Sequence, residues 1–135
     1  MESRSINEHY AEIAHDLIEK EDVFVDIANS HVTIIYLSSD YEKKKPKQNK
    51  LVEGECEKVQ DKNKWAIPAD YTITVYEPNC IGFSEEQMRI LLFHELLHID
   101  IKYNPDGTET YATRDHDYAD FKVIIDRYGT DWSVV

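Results

Sequence analysis

A chain of 135 residues suits one domain with one core, and none of its apolar runs approaches the length of a membrane span. Hydrophobic residues make up 41% and charged residues 31%, a balance that excludes a disordered chain. The net charge of −12 argues against a general phosphate-binding surface, because nucleic-acid modules are usually basic.

The opening stretch, MESRSINEHYAEIAHDL, is polar and acidic, without the basic and apolar regions of a secretory signal, so a cytoplasmic location is expected. Ser5 to Glu21 is expected to be a helix, since Ile6, Tyr10, Ile13, Ala14, Leu17 and Ile18 recur at helical spacing. His31 to Ser39 is rich in β-branched residues and predicts a strand. The lysine-rich YEKKKPKQNK follows and is expected to be a solvated, mobile loop. Residues 43–64 hold eight lysines and four acids, leaving seven basic and 23 acidic residues elsewhere. Leu51 to Gln60 predicts a strand pairing with the first across that loop, and Asp70 to Pro78 predicts a third, which Pro78 ends. Cys56 and Cys80 form no CxxC pair and are expected to be reduced, structural thiols.

Ser84 with Gln87 makes a capping-box pattern that opens a largely buried central helix, expected to continue to the turn Asn104-Pro105-Asp106-Gly107. A last helix is expected from about Asp115 to Tyr128, with Phe121, Ile124, Ile125 and Tyr128 as its apolar stripe and Gly129 at its end. The order of helix, three strands and two helices predicts an α+β fold.

The chemistry concentrates in His94-Glu95-Leu96-Leu97-His98. Residues four apart on a helix project from one face, so both imidazoles can converge on one ion, with Glu95 in reach of a water on it. Burying two histidines and a glutamate in an apolar helix is costly unless strong partners or a metal compensate. A catalytic zinc needs a third protein ligand. Ile101 and Asn104 stand where the metzincin pattern has glycine and histidine, which excludes that class. His116, 18 residues beyond His98 and expected to open the last helix, is the best candidate. Asp120, one turn later, is either the third ligand or a carboxylate that orients an imidazole. Asp117 and Glu109 are weaker candidates, and His9, His15 and His31 are better explained as ordinary histidines. Tyr103, Arg114 and Tyr118 are candidate oxyanion donors by proximity in sequence.

The stretches VTIIYLS, LVEGECEKVQDKNKW, DYTITVYEPN with EEQMRILLFHELLHI, and RDHDYADFKVIIDRYG span roughly residues 25 to 129. With them the chain resembles the putative phage metallopeptidase family, a zincin-like group of bacteriophages and prophages, and more distantly the SprT-like metalloproteases. The resemblance implies Zn2+ on His94, His98 and His116, Glu95 as the catalytic residue, and one zincin-like domain over residues 1–135 with helices packed on a short twisted sheet. It implies the cytoplasm of a bacterial host cell, and a peptide substrate lying along Asp70 to Glu77 as an edge strand.

The function expected is zinc-dependent hydrolysis of peptide bonds by a metal-activated water, with Glu95 taking the proton as general base. The alternative is a non-catalytic zinc-binding phage or prophage effector that binds a host or phage protein. A peptide or protein substrate is expected. No membrane partner is expected, and DNA binding through five flexible lysines should be weak at best.

Overall fold

The segment Tyr71–Tyr76 is buried at every position, the pattern of a strand covered on both faces. The computed structural model describes residues 2–46, 50–116 and 120–135 and places this strand inside a four-stranded sheet. In chain order the elements are β1 (Arg4–Ile6), α1 (Glu8–Lys20), α2 (Val25–Ala28), β2 (Ile34–Ser39), β3 (Lys44–Lys45), β4 (Lys50–Leu51), β5 (Gly54–Lys58), β6 (Tyr71–Tyr76), α3 (Glu85–Leu96), β7 (Ile99–Tyr103), β8 (Glu109–Thr113) and α4 (Lys122–Tyr128). The main sheet has the order β1-β2-β6-β5, with β2 and β6 parallel and both outer pairs antiparallel. Among the described residues, four α-helices and a mixed sheet make the fold α+β, as expected.

The sheet differs from expectation in its order. β5 does not pair with β2. It lies on the far side of β6, with Cys56 opposite Ile73. Composition accounts for the exchange. YTITVY can bury both faces and takes the interior, whereas GECEK carries charges that need solvent and takes the edge. The Asp70 to Glu77 segment is therefore not an edge strand, since β6 is paired on both sides. The first helix also begins later than expected. Asn7 caps α1 by accepting from the Tyr10 N–H at 3.0 Å, which leaves Arg4–Ile6 free to pair with β2.

The central helix ends earlier than expected, at Leu96. Ile99, Asp100, Ile101 and Lys102 alternate in a period of two, with both isoleucines buried, and form β7. Asn104-Pro105-Asp106-Gly107 is thus the turn of the β7–β8 hairpin, and Gly107 meets its demand for a positive φ of 87°. The last helix is shorter than expected, leaving His116 and Asp120 in the non-helical segment before it. Within the lysine-rich stretch, expected to be a mobile loop, Lys44–Lys45 instead pairs antiparallel with Lys50–Leu51. Lys47, Asp117 and Tyr118 lie outside the described residues.

The capping box is formed as expected, with the Ser84 N–H donating to Gln87 Oε1 at 2.8 Å and the Gln87 N–H to Ser84 Oγ at 3.1 Å. The core joins Tyr10, Ala14 and Leu17 of α1 to Ile90, Leu91, Leu92, Phe93 and Leu96 of α3, over Tyr36, Ile73 and Val75 of the sheet. Fully buried side chains such as Leu17 and Leu92 each contribute about 1.5–3 kcal/mol. Both cysteines are free thiols. Among the described residues no helix is long and apolar enough to cross a membrane.

Candidate metal centre

His94 and Glu95 occupy the last turn of α3, while His98 lies two residues past its end. The turn continues nonetheless, with the Leu97 N–H donating to Phe93 O at 3.2 Å and the His98 N–H to Glu95 O at 3.1 Å. Arg114 then closes the helix end. Its backbone N–H donates to His98 O at 2.7 Å, and its Nε donates to Leu97 O at 2.9 Å. The β7–β8 register, Ile99 opposite Thr113, carries the chain out and returns it to its starting point. That return brings His116 beside His94 and His98.

The three histidines offer ligand atoms that all lie within 4.8 Å of one another. The Nε2 atoms of His94 and His116 are 2.9 Å apart, and the ring centroids of His98 and His116 are 4.7 Å apart. The other ring nitrogens of the motif pair are engaged. His98 Nδ1 lies 2.7 Å from Arg114 O, and a carbonyl only accepts, so the proton is on Nδ1 and Nε2 is left as a lone pair. His94 Nδ1 donates to Asp120 Oδ1 at 2.6 Å. Two ring nitrogens facing each other at 2.9 Å need a proton or a cation between them. This donor set therefore fits a divalent metal that takes imidazole nitrogen.

Asp120 is a supporting group in this arrangement. Besides His94, it accepts from the Phe121 N–H at 2.7 Å and from the Trp132 indole at 2.8 Å. Burial works against its charge, but these bonds hold its pKa below the ordinary value. Burial likewise opposes the charged form of His94, yet the Asp120 bond and nearby carboxylates raise its pKa overall. Burial lowers that of His98. His116 is pushed down to about 4, by burial first and then by the charges of His94 and His98.

Glu95 is 3% exposed, and its side chain has no hydrogen-bond partner among the described residues. Its oxygens lie 3.8 Å from His94 Nε2 and 4.0 Å from His98 Nε2. Burial pushes its pKa up to about 7. The backbone of β5 passes directly over it. A Cβ on Gly54 would meet Glu95 Oε2 at 3.4 Å and Thr74 O at 3.1 Å, so glycine permits the edge strand to approach. The resulting cleft, about 580 Å³, is lined by the three histidines, Glu95, Asp120, Trp132, the start of β5 and the β3–β4 hairpin.

Other candidates fall elsewhere. Tyr103 donates to Asp26 O at 2.5 Å, away from the cleft, and Arg114 is engaged at the helix end. Glu109 binds the His31 N–H and the Tyr111 hydroxyl. His9 meets Glu85, and His15 packs edge-on against Tyr36. Trp132 and Gly54 were not singled out from the sequence. A lone tryptophan near the C-terminus carries no signal, whereas a glycine inside a strand does suggest a close backbone approach.

Comparison with curated proteins and with solved structures returns no match to this chain. The family model described as putative phage metallopeptidase matches residues 3–135. That match spans every element described above, so the chain belongs to the putative phage metallopeptidase family.

Proposed function

We propose that this chain is a zinc-dependent peptidase of the zincin type, with His94, His98 and His116 as the metal-holding residues and Glu95 as general base. The observation that carries the proposal is the convergence of the three imidazoles beside a buried carboxylate whose oxygens face two of them. Zinc, when bound, supplies a Lewis acid that polarises a peptide carbonyl and acidifies water. The rest of the chemistry belongs to the chain. Asp120 and Arg114 O fix which nitrogen of His94 and of His98 faces the cleft. Glu95 takes a proton on a carboxylate oxygen from the attacking water and returns it to the departing amine. Gly54 and the free side of β5 leave room for an extended peptide to add to the sheet edge above Glu95.

The test is elemental analysis of protein purified without added metal, followed by peptide hydrolysis by wild type and Glu95→Gln. The expected result is one zinc per chain in both proteins and hydrolysis by wild type alone. Loss of zinc in Glu95→Gln would contradict the assigned role. Zinc without hydrolysis of any peptide or protein would favour the non-catalytic binding protein.

A further inference from the structure

Lys45 and Lys50 are direct partners across the β3–β4 ladder, and both line the cleft that holds the histidines. Side chains directly opposite in an antiparallel pair stand on the same face with Cβ atoms about 4.5–5.5 Å apart, and like charges there are destabilising. Neither lysine has an acidic partner among the described residues. Both lysines are exposed, so their charges are solvated and stay open to an external anion at the cleft wall.

The acids of the cleft do not fill that role. Glu55 is already bound by Lys43 and by the Tyr76 hydroxyl. Asp120 serves His94 and Trp132, and Glu95 faces the histidines. Glu53 is the one cleft acid left without a cationic partner among the described residues, so it offsets at most one of the two lysines. The hairpin is also held in place. Asn79 Nδ2 donates to Lys43 O at 2.9 Å and to Val52 O at 2.7 Å, tying together the residue before β3 and the residue after β4.

We propose that Lys45 and Lys50 together bind the carboxylate of an acidic side chain in the peptide that occupies the cleft, so that the preferred substrates carry Asp or Glu beside the scissile bond. This rests on the peptidase reading, and it favours a peptide over nucleic acid. The facing pair offers a site for one carboxylate, whereas phosphate backbones draw affinity from several simultaneous contacts along an extended basic surface.

The experiment measures binding, so it does not depend on turnover. Zinc-loaded Glu95→Gln protein is titrated with a fluorescein-labelled Glu-rich decapeptide, with the same peptide carrying Gln for Glu, and with a ten-residue oligothymidylate. The Glu peptide should bind about ten-fold tighter than the Gln peptide at low salt, and the difference should shrink as salt is raised. Adding Lys45→Gln and Lys50→Gln should abolish the preference, while adding Lys58→Gln and Lys62→Gln, outside the cleft, should leave it. Equal binding of the two peptides, a preference that survives loss of Lys45 and Lys50, or tighter binding of the oligothymidylate would each overturn the proposal. A lysine-dependent preference in a protein whose wild type cleaves nothing would sustain the clamp and reject the hydrolytic reading alone.

Discussion

Asp120 accepts from His94 Nδ1 at 2.6 Å, and this bond turns the Nε2 of that ring toward His116. The carboxylate thus stands behind the His94 ring and outside the group of three imidazoles whose ligand atoms converge. Asp120→Ala should weaken zinc binding about 10–100-fold, as expected for removal of a group that orients a ligand. It should also cost about 1–3 kcal/mol of stability, because the Trp132 indole and the Phe121 N–H lose their buried acceptor. Asp120→Asn should regain part of the stability and little of the affinity, since an amide oxygen accepts but carries no charge. Chelator competition and urea denaturation measure the two quantities. Unchanged zinc affinity in Asp120→Ala would remove the orienting role.

Gly54 is the second point where a small change should act on the site. An added methyl would press on Thr74 O at 3.1 Å, and backbone in a paired strand yields little. Gly54→Ala should cost about 1–3 kcal/mol through overpacking. Gly54→Val should cost more and should also reduce kcat/KM of the zinc-loaded protein, by crowding the Glu95 carboxylate. If Gly54→Val lowers the urea midpoint but leaves kcat/KM unchanged, the close approach of β5 serves only the packing of the sheet.

His94, Glu95 and His98 were legible because their spacing is local and their chemistry is unusual for an apolar segment. His116 was legible through elimination, though the reason it arrives is different from the expected one. It is delivered by the return of a hairpin and not by a helix packed beside α3. The helix end was obscured because LLHIDI is apolar enough to continue a buried helix, and periodicity separates buried helix from buried strand poorly over short runs. The better signal was a turn flanked by two alternating runs, Ile99 to Tyr103 and Glu109 to Thr113, which is the pattern of a hairpin. Sheet order was the least accessible feature. The parallel pairing of β2 with β6 skips β5 in the chain, and the alternation of YTITVY gave no sign that both of its faces are buried.

The histidine assignments separate by metal content. His116→Ala should weaken zinc binding by more than the roughly 100-fold upper range of a supporting residue, because the proposed function makes it a direct ligand. His9→Ala, His15→Ala and His31→Ala should each retain one zinc per chain, as their rings are engaged with Glu85, Tyr36 and Glu109. Elemental analysis after dialysis against a weak chelator distinguishes these outcomes. Zinc held at wild-type affinity by His116→Ala would mean that another group completes the site.

Arg114 separates two roles that its position in the sequence leaves open. As an oxyanion donor it would speed the chemical step, and its removal would lower kcat about 10²–10³-fold with zinc affinity intact. The geometry supports the opposite result. Its Nε donates to the Leu97 carbonyl, one of the acceptors left over at the end of α3, and its positive charge stands at the negative end of that helix. Its own carbonyl fixes the tautomer of His98. Arg114→Ala should therefore reduce stability by about 1 kcal/mol and loosen the turn that carries His98. Zinc affinity should fall several-fold, while kcat at saturating zinc stays within a few-fold of wild type. Arg114→Lys should restore part of the stability through charge at the helix end. The measurement is kcat as a function of zinc concentration for wild type and both variants. A kcat for Arg114→Ala that stays hundreds of times lower at every zinc concentration would return Arg114 to the catalytic step.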